Sequence, residues 1–331
     1  MSKYISTFIT GFEKVVKKSL LRDLDKVQII KLYDGLIYYS YNGDYKKLNK
    51  LIYLNNTFYV MESFNNGINF NQMILKVSKR KYKPMINTGT FRVRFSKENQ
   101  FSKVEKKYSQ LAEKQIINNS RLKLDRLNPQ TEIWYIIRTE KIAFYCQLIH
   151  KRENTEKNLN KGELRPEFSF LMCECANLKQ DAIVCDPFCG YGSIPKQLSL
   201  HFKVKEIFAN DIDANLIKKL KRTFSKNKKV ILSNLDASNL TNIKENTIDA
   251  VITDPPWGYY EQIDDIKEFY IKILQEMIRI IKVNGTLVFL SARKEEFMDS
   301  VKKLNLQIID KIDTLVNGKK ASVFVIKKSQ D

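Results

Sequence analysis

Histidine is almost missing from this chain of 331 residues, which holds only His150 and His201. Neither lies near a second imidazole, and Cys173-Glu174-Cys175 has no partner pair at zinc spacing, so a metal site is not expected. Cysteine is scarce too. Cys146, Cys173, Cys175, Cys185 and Cys189 form an odd set without a disulfide-framework spacing. With no secretory apolar core around Thr7 to Lys17, they read as buried thiols in a reducing cytoplasmic setting. No apolar run reaches the roughly 18–20 residues of a membrane span, so no membrane partner is expected. Internal repeats and low-complexity tracts are lacking as well. A hydrophobic content of 43% then leaves folded domains, two or three at this length.

The front half is poor in negative charge. Residues 1–160 hold 30 basic and 14 acidic side chains, whereas residues 161–331 hold 27 and 23, within a net charge of +20. A Lys-rich bias could merely solvate an ordinary surface. The charge is nonetheless spread through strand-like and helical segments with no lysine tail, as on a folded basic face turned to a polyanion such as nucleic acid. Lys79, Arg80, Lys81 and Lys83 form one cluster. In Thr90 to Phe95 the alternation predicts a strand burying Phe91, Val93 and Phe95, with Arg92 and Arg94 together on the other face.

Hydrophobic periodicity predicts strands at Tyr4 to Thr10, Val27 to Leu32, Leu36 to Ser40 and Asn56 to Glu62. Helices are expected at Phe12 to Leu24, near Tyr45 to Leu51, and at Lys103 to Ile117. Two further strands, Glu132 to Arg138 and Ile142 to Leu148, follow Asn128-Pro129. The polar stretch from Lys151 to Gly162 reads as a linker. Beyond it strands and helices alternate as in a doubly wound α/β sheet: strands at Ala182 to Cys185, Glu206 to Ala209, Lys229 to Leu232 and Ile248 to Ile252, and a helix from Ile266 to Ile281 closed by Gly285. Gln307 to Ile312 and Ala321 to Ile326 predict a hairpin around Asn317-Gly318.

Two motifs carry the chemistry. Asp186-Pro187-Phe188-Cys189-Gly190-Tyr191-Gly192 follows the first strand of that sheet, where glycines admit a ligand close to the backbone and Ser193 opens a helix with free amides. Asp211, in Asn210-Asp211-Ile212-Asp213, ends the second strand, where an acid accepts ribose hydroxyls; Asp236, before Ala237, follows the third and suits an adenine amino group. No second basic residue clamps a diphosphate near the loop. With Phe188-Cys189 this tilts the ligand from a dinucleotide towards S-adenosylmethionine. The second motif is Thr253-Asp254-Pro255-Pro256-Trp257-Gly258. A carboxylate, a proline carbonyl stiffened by its neighbour, and a flat ring suit one exocyclic amine on an extruded base.

On these motifs the chain resembles the S-adenosylmethionine-dependent methyltransferases that act on exocyclic amines, above all the THUMP-containing RNA guanine-N2 methyltransferases. The resemblance also takes in the Leu164-Arg165-Pro166 lead-in and the stretches Thr90 to Phe95 and Leu122 to Pro129. It implies a ferredoxin-like unit (1–65), a THUMP-like RNA-binding unit (66–150), a linker (151–163) and a Rossmann-like class I methyltransferase domain (164–331). It implies further that Asp186, Pro187, Cys189, Gly190, Gly192 and Ser193 line the methyl-donor pocket, that Asp211 with Ile212 takes the ribose and Asp236 with Ala237 the adenine. Asp254, Pro255, Pro256 and Trp257 would hold the target base. The chain departs from the family in Tyr191, where a small residue is usual, in Lys196 and Gln197, where the following helix usually has an acid, and in Trp257, where many have tyrosine. The expected substrate is guanine N2 in tRNA, the protein acting as a monomer. Guanine N2 in rRNA, adenine N6 in DNA, or an idle RNA-binding protein are the competing readings.

Overall fold

The computed structural model describes residues 1–65, 67–152, 158–259 and 263–329. The chain forms two compact units, residues 1–8 with 20–153, and 9–19 with 154–331. The boundary expected at residue 66, and 153–157 of the expected linker, lie outside the described residues.

In the first unit β1 (Ser2–Thr7), β2 (Gln28–Tyr33), β3 (Leu36–Tyr41), β4 (Asn56–Phe64), β5 (Thr90–Lys97), β6 (Gln100–Phe101), β7 (Lys123–Leu124), β8 (Thr131–Ile137) and β9 (Ala143–Lys151) form one sheet. Its order is β2-β3-β1-β4-β9-β8-β5-β6, with β7 beside β5. The stretches expected as two separate units therefore meet in one sheet, through the antiparallel pair β4 and β9. The segment 45–50 is a 3₁₀ helix rather than an α-helix. α2 (Phe70–Ser78) and α3 (Lys106–Asn119) cover one face, where Met73, Ile74, Val77, Ala112 and Ile116 pack on Phe91, Ile133 and Tyr145. The other face buries Ile5, Tyr38, Phe58, Ile136 and Phe144.

Residues 9–19, expected with the front unit, pack with the rear one and include the start of α1 (Glu13–Asp23). Phe12 meets Phe168 edge to face at 5.5 Å, Ser19 Oγ donates to Glu174 Oε2 at 3.1 Å, and Thr314 Oγ1 donates to the Thr10 carbonyl.

The rear unit is a sheet between helices: α4 (Pro166–Cys175), β10 (Ala182–Asp186), α5 (Ser193–His201), β11 (Val204–Asn210), α6 (Ala214–Thr223), β12 (Val230–Ser233), β13 (Ile248–Thr253), α7 (Ile266–Ile280), β14 (Ile281–Ser291), α8 (Lys294–Lys303), β15 (Gln307–Val316) and β16 (Lys319–Lys327). The order is β12-β11-β10-β13-β14-β16-β15, parallel from β12 to β14, with β16 antiparallel to both its neighbours. β10 and β13 bury both faces, as parallel strands covered by helices must, which is why they read as short apolar runs. Order reverses at β10, so the crevice beyond β10 and β13 is the switch point where such sheets bind ligands.

Two local outcomes follow from turn chemistry. Asn317 and Gly318 both take positive φ, 49° and 80°, the two-residue turn that joins right-twisted strands, and the expected hairpin forms around them. Gly285 does not close the long helix. α7 ends at Ile280 and the chain passes straight into β14, kinking at Asn284 (φ 61°), because Ile281 already pairs with Ile248.

Candidate active site at the strand ends

The carboxyl ends of β10, β11 and β13 bring the sequence-predicted residues together. Asp186, 1% exposed, closes β10; its Oδ1 accepts from the Phe188 amide at 3.3 Å and from Thr253 Oγ1 at 3.0 Å. The second bond spans the switch point, tying the end of β10 to the end of β13. Burial pushes the Asp186 carboxyl up to about 8, despite the Thr253 and Phe188 hydrogen bonds.

The loop after Asp186 is held from below. Pro187 and Cys189 are buried, the Cys189 amide donates to the Asn210 carbonyl at 2.9 Å, and the Gly190 amide donates to Asp211 Oδ2 at 2.8 Å. Gly190 (φ 50°) faces open space, with nothing within 4 Å of where a Cβ would sit. Gly192 (φ 80°) is required for a different reason: a Cβ there would stand 2.7 Å from Leu220 Cδ2. It caps α5, whose first residue is Ser193.

Asp211 and Asp213 have different partners. Asp213 Oδ1 is spent on capping α6, accepting from the Asn215 and Leu216 amides. Asp211 sits at the strand end, accepting from Gly190 and, through Oδ1, from the Asp213 amide at 2.9 Å, which fixes the carboxylate at the lip of the crevice. Ile212 beside it is 72% exposed. Asp236 is exposed, its Oδ1 holding the Ser238 amide and hydroxyl, and Ala237 is buried beneath it.

Sequence reasoning missed Asn210. Its buried side chain donates to the Pro187 and Leu235 carbonyls and accepts from the Leu235 amide and Ser233 Oγ, so one amide stitches together the loops after β10, β11 and β12. Its position just before Asp211 was the available signal. Thr253 opens the Asp-Pro-Pro-Trp motif, and its bond to Asp186 exists only because β10 and β13 are neighbours.

The Asp254-Pro255-Pro256-Trp257 turn follows the end of β13. As a residue Asp254 is half-buried, but its Oδ1 is sealed from solvent without a hydrogen-bond partner, and so is Trp257 Nε1. Burial holds the Asp254 carboxyl well above the usual carboxylate range, with Asp186 adding to the rise and Trp257 opposing it without completing a hydrogen bond. Pro255 is buried, while Pro256 and Trp257 are half-buried. Arg293 Nε donates to the Trp257 carbonyl at 3.1 Å and steadies the turn.

Among the residues at which this chain departs from the resembled family, Tyr191 is exposed beneath Lys219, Lys196 is exposed, and Gln197 is buried with its Oε1 unpaired. No group of three metal-binding side chains occurs among the described residues, and no helix there is long and apolar enough to cross a membrane. A cavity of about 490 Å³ between α7 and α8 is lined by none of the site residues.

The basic candidates of the first unit separate. Lys79, Arg80, Lys81 and Lys83 are exposed, with Arg80 paired to Glu62 at 2.9 Å. Arg92 and Arg94 share one face as predicted, yet both converge on the buried Glu132: Arg92 bonds it directly and Arg94 Nε lies 3.6 Å away. Trp134 Nε1 donates to the same carboxylate at 2.8 Å.

A strand order that reverses beside an acid-ended strand, with an antiparallel last pair, is the fold of the class I methyltransferases. TrmN from Thermus thermophilus shares it, with a TM-score of 0.79 at 15% identity over 99% of this chain and 100% of that one. Residues 154–319, half of the chain, match the family described as RMKL-like, methyltransferase domain, and the chain belongs to that family. It is similar to the tRNA (guanine(10)-N2)-dimethyltransferase of Methanocaldococcus jannaschii, 30% identical over 154 residues, which are 44% of this chain and 42% of that protein. It is also similar to the U6 snRNA (guanine-N(2))-methyltransferase THUMPD2 of Homo sapiens, 28% identical over 173 residues, 51% of this chain and 33% of that protein. The chain thus spans less than half the length of these curated relatives.

Proposed function

We propose that this chain is an S-adenosylmethionine-dependent RNA methyltransferase acting on the exocyclic N2 of guanine, with tRNA as its substrate class. The observation that carries the reading is Asp254 Oδ1, a buried acceptor without a donor at the switch point of a methyltransferase fold. Such an atom is costly by about 1–3 kcal/mol unless an N–H arrives to satisfy it. Two named relatives that methylate guanine N2 in tRNA and U6 snRNA support the choice of base.

The residues suit the methyl donor. Open space at Gly190, the fixed Asp211 carboxylate and the Asp236 turn would receive its loop-side, ribose and adenine parts. When bound, S-adenosylmethionine supplies a methyl on a positively charged sulfur. Asp254 Oδ1 and the Pro255 carbonyl each accept from one hydrogen of the guanine amine, which leaves the nitrogen lone pair directed at that methyl. Trp257 stacks on the extruded base and helps exclude water. Asp254 Oδ1 acts as an acceptor throughout, and the proton the amine loses leaves after methyl transfer. The exposed Lys79, Lys81 and Lys83 of the first unit hold the RNA backbone. Arg92 and Arg94, tied to Glu132, contribute less than their charge suggests.

Incubation with isotope-labelled methyl donor and separate tRNA, rRNA and duplex DNA pools, followed by nucleoside analysis, tests this. Label in N2-methylguanosine from tRNA is expected. Label confined to N6-methyladenine in DNA, or none in any pool, would refute it.

A further inference from the structure

We propose that the outer face of α6, with the turn after it, is an RNA-backbone contact surface on the methyltransferase unit itself, an assignment that rests on the RNA methyltransferase reading above. Between Asp213 and Asp236 the chain carries seven basic side chains, from Lys218 to Lys229, and no acid. The rest of residues 161–331 holds 20 basic against 23 acidic side chains, so the positive charge of the rear half is gathered in this one segment. All seven are exposed, and none of them pairs with an acid among the described residues. Only Lys229 is engaged with the backbone, its Nζ donating to the Val204 carbonyl at 3.1 Å.

An ordinary solvated helix mixes its signs. α7 and α8 do so, with Arg279 on Glu276 and Lys267 on Asp299. On α6, Lys218 and Arg222 stand one turn apart on the face opposite the buried Ile217 and Leu220, with Lys219 and Lys221 beside them, and like charges at that spacing destabilise a helix. The helix dipole favours Lys221 and Arg222, which lie in the last turn, but its effect does not reach back to Lys218 and Lys219. A polyanion laid along the face would relieve the repulsion, and cations extended over more than one turn suit a repeating backbone charge better than a single small anion.

The packing sets this surface beside the methyl-donor loop. Leu220 and Phe224 of the α6 segment lie against Gly192, 2.7 and 3.3 Å from where its Cβ would sit. Lys219 Nζ stands 5.9 Å from the centre of the Tyr191 ring, 37% exposed, and Tyr191 follows Gly190, whose amide holds Asp211 at the lip of the crevice. The cationic surface therefore begins one residue from the lip. A strand that delivers a base to the crevice carries its flanking phosphates out over that lip, and contacts of this kind fix register without reading sequence.

The test uses full-length protein with Lys218→Gln, Lys221→Gln and Arg222→Gln combined; glutamine supports a helix about as well as the residues it replaces, and Lys219 and the donor loop stay intact. Fluorescence anisotropy with labelled tRNA over a salt series should show about tenfold weaker binding at physiological salt and a log–log salt slope shallower by about two. KM for tRNA should rise in parallel while kcat stays within about twofold, and S-adenosylmethionine binding by calorimetry should be unchanged. Each single replacement should flatten the slope by up to about one, which reads the same surface if the triple variant is poorly folded. The charge-conserving set Lys218→Arg, Lys221→Arg and Arg222→Lys should keep the parent affinity. A parent slope and KM in the neutralised proteins, or an equal loss in the charge-conserving one, refutes the surface. So does a loss of affinity for anionic phospholipid vesicles with tRNA binding unchanged. If the parent transfers no methyl to any RNA but its tRNA affinity still depends on these cations, the functional reading falls and the surface stands.

Discussion

The two units solve opposite problems with similar amounts of chain. The rear sheet is parallel, buried on both faces, and gathers its polar groups at the ends of its strands, where Asp186, Asp211 and Asp254 converge on one crevice. The front sheet is largely antiparallel, with its cluster of exposed lysines outside any strand, in the segment after α2. Chemistry needs carboxylates shielded from water, where their proton affinity and hydrogen bonds are strong; holding a polyanion needs cations left in water, free to displace counterions. The contrast teaches that the net charge of +20 and the Asp254-Pro255-Pro256-Trp257 motif are separable properties of one chain.

That separation can be broken experimentally. Asp254→Ala should lower single-turnover methyl transfer by a factor on the order of 10² to 10³ while leaving tRNA and methyl-donor affinity within about twofold, because it removes a group that acts on the amine alone. Near-normal turnover would mean that the carboxylate does not hold the nitrogen. The reciprocal change, Lys79→Ala with Lys81→Ala and Lys83→Ala, should weaken tRNA binding by about tenfold or more and flatten its salt dependence, with methyl-donor binding untouched. An unaltered salt slope would move the RNA contact off that cluster.

Smaller effects sharpen the rear half of the comparison. Gly192→Ala forces a Cβ against Leu220 at a positive φ and should cost about 1–3 kcal/mol in urea unfolding. Asp186→Asn should stabilise the ligand-free protein in a pH-dependent way. The folded carboxyl is raised from 3.8 to about 8, so between those values the unfolded chain sheds a proton that the folded chain keeps, and stability falls as pH rises. Asparagine is exempt from that loss and its oxygen still accepts from Thr253. The gain over the parent should therefore grow from pH 5 towards pH 8 by about 1.4 kcal/mol per pH unit. A gain independent of pH would show that Asp186 is ionised in the folded protein.

The rear unit was largely legible because its signals are local. Short apolar runs ending in Asp186, Asp211 and Asp254 announce parallel strands and their loops, and Asn317-Gly318 announces its hairpin. The front sheet was less so, since its central pairing joins β4 to β9, partners as far apart in sequence as Asn56 and Lys151, and no local pattern encodes that partnership. α2 went unseen although its signals were present: Asn69 and Gln72 make a reciprocal cap, and Met73, Ile74 and Val77 form an apolar stripe. Arg92 and Arg94 looked like free cations because Glu132, forty residues on from Arg92, becomes their neighbour only through the pairing of β5 with β8. Asn210 and Thr253 were hidden for the same reason, each drawing its meaning from a strand or turn distant in sequence.

A crystal structure with S-adenosylhomocysteine bound examines the switch-point site most directly. Its ribose hydroxyls should lie within hydrogen-bond reach of Asp211, its adenine near Asp236, and its sulfur should face Asp254 Oδ1 across a gap the size of one amine. A ligand seated elsewhere on the sheet, or an Asp254 carboxylate turned away from the sulfur, would contradict the assignment.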